Sequence, residues 1–147
     1  MNKAVDSGIM NKTADKEEST MEEVRSLGNI NISILEKEFG EIQTSETIVT
    51  SERIAHIKER HQIDYELFEK YGEECVRNPD YIIKDNKNEG TVFMVKKLPD
   101  TNLNVVSRLA LDTDKSGLKN SVMTFYRIRN RNLKKLIKKN KLLYKKE

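Results

Sequence analysis

A change of hydrophobic period at Asn78-Pro79 limits this chain more than any other feature. Before it, Ile30, Ile34, Leu35 and Phe39 recur at helical spacing, and so do Tyr65, Phe68, Tyr71 and Cys75. Such sets line one side of a helix of about 3.6 residues per turn. After it come four β-rich runs, Tyr81 to Lys84, Thr91 to Leu98, Leu103 to Leu111 and Ser121 to Ile128. Turn material at Asp85 to Gly90, Pro99 to Asn102 and Asp112 to Asn120 separates them. Helical period first and strand period second describes a segregated α+β fold rather than βαβ units. The expected fold class is therefore α+β, with N-terminal helices packed on one face of a four-stranded antiparallel sheet, followed by a basic C-terminal helix or tail.

The boundaries follow from local chemistry. Gly40 stops the helix of Ile30 to Phe39, Thr50 or Ser51 caps a helix through His61, and Asp64 caps another that Asn78 and Pro79 end. Asn132 to Leu143, with Leu133, Leu136, Ile137, Leu142 and Leu143 among lysines, reads as a basic amphipathic helix or frayed tail. The start of the chain is polar with isolated apolar residues, too few to offset ordering entropy. Residues 1–28 are expected to be a disordered leader or linker and residues 29–147 the folded domain.

Charge is divided unequally. From Arg127 to Glu147 there are ten Lys and Arg against one Glu, so this stretch carries +9 and the rest of the chain −6. A concentrated basic end is the electrostatic footprint of a nucleic-acid partner, although basic helices also bind anionic membranes. No run approaches the roughly 20 apolar residues of a membrane span, and Met1 to Met10 lacks the apolar core of a signal peptide. The single cysteine, Cys75, forms no internal disulfide. The expectation is a soluble cytoplasmic protein, in a bacterial host or target cell, that does not engage membranes.

Both histidines lie in Arg53-Ile-Ala-His56-Ile-Lys-Glu-Arg60-His61. Imidazole titrates near neutral pH, so the pair are candidates for general acid–base work. Five positions turn the rings about 140° apart on an ideal helix, and both face one substrate only if the helix ends near Arg60. At a helix C-terminus the carbonyl dipole would favour the imidazolium of His61, although a terminal histidine is often only a cap. On the last strand Thr124 and Tyr126 share a face with Val122, and Arg108 on the preceding strand adds a charged fork for a phosphate. Ordinary strand preference also explains these residue types. There is no zinc-ligand spacing, no phosphate loop and no Gly-x-Ser-x-Gly elbow, and Asp112, Asp114 and Gly117 fit a turn better than a calcium loop. No metal and no cofactor are expected.

The run Val49-Thr-Ser-Glu-Arg-Ile-Ala-His-Ile-Lys-Glu-Arg-His61, then Asp64-Tyr65, Asn78-Pro-Asp-Tyr-Ile82 and Asn120-Ser-Val-Met-Thr-Phe-Tyr126, resembles the phage-associated barnase, EndoU, colicin and RelE-like (BECR) nuclease domains. Where such domains often place an aromatic-proline pair after the second histidine, this chain has Gln62-Ile63. The resemblance implies a toxin-like RNA endonuclease that needs no metal, in which the 2′-hydroxyl attacks its own 3′-phosphate and leaves a cyclic phosphate. By it, His56 is the base, His61 the acid, and Arg108, Thr124 and Tyr126 position the phosphate. RNA, with tRNA one candidate, and an immunity or antitoxin protein would be the partners. The competing expectation is a non-catalytic module that retains the fold to bind nucleic acid or protein.

Overall fold

The computed structural model describes residues 23–147. Strand β1 (Val24–Asn29) leads into helix α1 (Ile32–Phe39), strand β2 (Glu46–Thr50), and helices α2 (Ser51–Arg60) and α3 (Gln62–Arg77). Strands β3 (Tyr81–Lys84), β4 (Thr91–Lys97), β5 (Asn102–Arg108) and β6 (Asn120–Ile128) follow, then α4 (Asn130–Lys139) and β7 (Lys141–Lys145). Among the described residues the sheet has seven strands rather than four, in the order β1-β2-β6-β5-β4-β3-β7. The expected four-stranded meander is its centre, β3 to β6. Three short flanking strands extend it, so strands also precede and separate the helices.

The expected leader lies, up to residue 22, outside the described residues; from Val24 onward its remainder is strand β1, which pairs antiparallel with β2. At the other edge the basic end is no tail. Leu142 and Leu143 belong to β7, which pairs antiparallel with β3, and α4 ends at Lys139.

Two cores flank the sheet. On one face Phe68, Cys75 and Val76 of α3 meet Val92, Met94, Leu103, Val105, Val122 and Phe125, and Leu35 of α1 and Ile57 of α2 join them. Phe68 stacks on Phe125 with ring centroids 3.8 Å apart, which seats α3 across the middle of the sheet. The other face, expected to be free, is partly covered: Ile83, Phe93, Val95, Val106 and Ile128 pack against Leu133, Leu136 and Ile137 of α4. The described residues thus form three layers.

A bulge in β6 decides which side chains share a face. Val106 pairs with Thr124 but Ser107 with Val122, so Met123 is the extra residue. The simple alternation that grouped Val122 with Thr124 and Tyr126 is broken there. Val122 and Phe125 point into the core under α3, whereas Thr124, opposite Val106, and Tyr126 lie on the α4 side.

Candidate active site

Helix α2 starts sharply because Thr50 caps it, its hydroxyl accepting the N–H of Arg53 at 3.1 Å. Ile57 is buried and Ile54 half-buried against the main core, which fixes the rotation of the helix. Glu52, Arg53 and His56 then fall within about one turn of each other on its flank. They meet β6 because of how β2 ends. Strand β2 pairs in parallel with β6 through Thr47–Asn120 and Ile48–Ser121, after which the chain turns away into α2. Beyond Ser121, a helix rather than a strand borders β6.

A groove of about 370 Å³ opens at that divergence, lined by Thr50, Glu52, Arg53, His56, Ser121 and Val122. Its strand wall is fixed by Asn120, fully buried, whose amide donates to the carbonyls of Thr44 at 2.8 Å and Glu46 at 3.0 Å and accepts the Ala110 N–H at 2.8 Å. An imidazole, a carboxylate, a guanidinium and hydroxyls therefore share one open cleft. Those are the groups that proton transfer and phosphate binding require.

A larger groove of about 700 Å³ lies at the far end of β6, between the start of α3 and the start of α4. Of its two carboxylates, Asp64 is buried and accepts Nε of Arg127 at 2.6 Å, and Asp100 is exposed. Asp64 sits in the first turn of α3 and is not its cap.

The five residues picked out by sequence do not converge. His56 lines the first groove. His61 ends α2, its N–H donating to the Ile57 carbonyl at 2.7 Å, and its side chain is exposed and lines neither groove. The helix does end at Arg60, as a shared site would need. Arg108, Thr124 and Tyr126 occupy the α4 side of the sheet, the layer opposite α2. Arg108 stands opposite Ser121 and Tyr126 opposite Asn104, about 13 Å apart along β5. Arg108 gives both guanidinium arms to Asp114, each at 3.1 Å, and donates to the Leu109 carbonyl. The Leu111 N–H, and then Arg108, hold the Asp114 carboxyl below the usual range. Asp114 thus closes a turn, as its sequence context suggested. The Tyr126 hydroxyl accepts from the buried Asn104 amide at 3.1 Å.

A family model described as phage-Barnase-EndoU-ColicinE5/D-RelE like nuclease2, PBECR2, matches residues 22–145. The chain belongs to this family. The comparison finds no match among curated proteins and none among solved structures. The PBECR2 match runs from the residues before β1 through β7, so the flanking strands are part of the family unit. It makes the protein an enzyme of the nuclease kind.

In this PBECR2 domain, sequence reasoning passed over Glu52, Arg53 and Ser121. The signal was present, since Glu52 and Arg53 precede His56 by four and three positions, the spacing of neighbours on a helix surface. Ser121 had no such signal, because its place beside α2 depends on the parallel β2–β6 pair. Among the described residues no three His, Cys, Asp or Glu side chains gather as a metal-ligand group, and no helix is long and apolar enough to cross a membrane.

Proposed function

We propose that the domain is a metal-independent RNA endonuclease working at the α2–β6 groove. The observation that supports it best is that His56, Glu52 and Arg53 of α2 line one cleft with Ser121. Cleavage moves one proton off the 2′-hydroxyl and one onto the departing 5′-oxygen. The 2′-oxygen bonds to phosphorus, the P–O5′ bond breaks, and the products end in a 2′,3′-cyclic phosphate and a 5′-hydroxyl. Glu52, an exposed carboxylate, suits the first transfer, and His56 suits the second. Arg53 neutralises the phosphate as charge builds on it. The roles implied by resemblance, His56 as base and His61 as acid, would require His61 to reach a groove that it does not line. A 2′-hydroxyl nucleophile makes RNA the substrate. A toxin role, with an immunity or antitoxin protein as partner, is carried by the resemblance alone.

The test is incubation of the protein with total RNA and with tRNA in excess EDTA, with products analysed for cyclic phosphate ends. His56→Ala and Glu52→Gln should each lower the rate by at least about 100-fold, and His61→Ala should leave it within a few-fold. Loss with His61→Ala and none with Glu52→Gln would restore the two-histidine arrangement. RNA binding without cleavage under any condition would leave a binding module.

A further inference from the structure

The basic end of the chain is tied to the sheet at both ends of α4. Asn130, at the start of α4, accepts from the Asn102 amide at 3.0 Å. At its end the Asn86 N–H donates to Asn140 Oδ1 at 2.9 Å, and the Asn86 amide donates to the Lys139 carbonyl at 2.9 Å. Leu133, Leu136 and Ile137 face the sheet. Arg131, Lys134, Lys135, Lys138 and Lys139 therefore share the opposite, outward arc of about 140°, and all five are exposed.

The helix itself contains no acidic residue. Among the described residues none of the five cations is in a salt bridge, whereas Lys84, Lys96, Lys119, Arg127 and Lys141 all are. Arg131 with Lys135, Lys134 with Lys138, and Lys135 with Lys139 are like-charge pairs four residues apart, an arrangement that destabilises a helix. A ridge that opposes its own helix, yet is fixed at both ends, is complementary to a polyanion.

We propose that the outer face of α4 docks the phosphodiester backbone of the same RNA chain that is cut at the α2–β6 groove. Ser121 at the groove and Arg129 before α4 are separated along β6 by about 26 Å, and α4 covers the face of the sheet opposite α2, so the path from the groove to the outer face of α4 is longer than that. At about 3.4 Å per nucleotide, the strand spacing of a B-form duplex, 26 Å alone is roughly eight nucleotides, a lower bound on the RNA that reaches both surfaces. The substrate class is accordingly an RNA long enough, or folded enough, to reach both surfaces, and short oligonucleotides occupy only one.

The inference rests on RNA being the substrate, and its test does not require cleavage. The full chain is titrated into labelled RNA of about 30 nucleotides, and separately about six, with 2′-O-methyl riboses that offer no nucleophile, across a salt series. The variant Lys134→Gln, Lys135→Gln, Lys138→Gln, Lys139→Gln is compared with a charge-matched control, Lys37→Gln, Lys58→Gln, Lys70→Gln, Lys115→Gln. For the α4 variant, the salt slope should fall by roughly 0.7 per charge removed and affinity for the long RNA by at least about tenfold. Its preference for long over short RNA should shrink, and the control should keep that preference. Should the fourfold variant fail to fold, Lys135→Gln and Lys138→Gln singly should each lower the slope by about 0.7. Equal losses in variant and control overturn the proposal, as does an unchanged slope. Binding to phosphatidylserine vesicles but not to RNA overturns it in favour of a membrane surface. Loss of RNA binding in the α4 variant of a protein that never cleaves RNA would keep the ridge and refute the ribonuclease reading; cleavage with an unaltered salt slope would do the reverse.

Discussion

The two arms of Arg108 reach the two oxygens of Asp114, and the space for that fork is left by Gly90. Gly90 has φ +78°, and a Cβ there would collide with the guanidinium. Gly90→Ala therefore combines backbone strain with displacement of a charged pair, and should cost about 1–3 kcal/mol. A shift in the urea midpoint checks this; an unchanged midpoint would mean that Arg108 moves aside freely. Cys75 shows a different use of burial. It is fully buried, and desolvation pushes its thiol up to about 12. Nucleophilic attack requires the thiolate. Iodoacetamide at mildly alkaline pH should leave the native protein unmodified and label Cys75 once urea unfolds it, as read by mass spectrometry.

Among the elements, β6 carries the most consequence, since it joins β2, β5 and the groove. Asn120→Ala removes three hydrogen bonds at a buried position and leaves the Ala110 N–H and the Thr44 and Glu46 carbonyls without that partner. A loss of about 2–4 kcal/mol in denaturant unfolding is expected. Cleavage should fall with it at temperatures where the fold persists, because the strand wall of the groove loses its anchor. The central elements were legible in sequence for physical reasons. The helices α1 to α3 and strands β3 to β6 each bury a periodic apolar set, and Gly40 and Asn78-Pro79 mark true ends. The outer strands were not. β1 buries only Leu27, and β7 is two leucines and a tyrosine between lysines, a pattern that also fits a helix turn. Such edge strands are short and charged, which blunts their signal. The site was half legible. His56 stood out by residue type, but the bulge at Met123 changed the faces of β6, and the layer separating Arg108 from α2 exists only in three dimensions.

For the molecule as a whole, Glu38 on α1 fastens the last strand to the first helix. It accepts from Lys141 at 2.8 Å and from Lys84 at 2.9 Å, and those hydrogen bonds, Lys141 first, hold its carboxyl below the ordinary range. A carboxyl depressed in the folded state stabilises it above the unfolded value, near about 4, and that contribution disappears as pH falls through the lower folded value. Thermal stability should thus fall below about pH 4, and Glu38→Gln should flatten the fall while lowering stability at neutral pH. An identical acid profile in the variant would show that other carboxylates dominate. Salt should weaken the same tie, since both lysines reach solvent.

The groove joins distant parts of the chain. One wall comes from Thr50 to His56 and the other from Ser121 and Val122, and the parallel pair that joins them needs β6 in place. During synthesis the second wall is made about 65 residues after the first, a delay of roughly 3–13 s at ordinary elongation rates. A nascent chain that has finished α2 carries Glu52, Arg53 and His56 on an open helix flank with no cleft around them. If RNA is the substrate, as proposed, the machinery translating the message is itself a potential target, and the order of residues along the chain keeps the groove unassembled until β6 has been made.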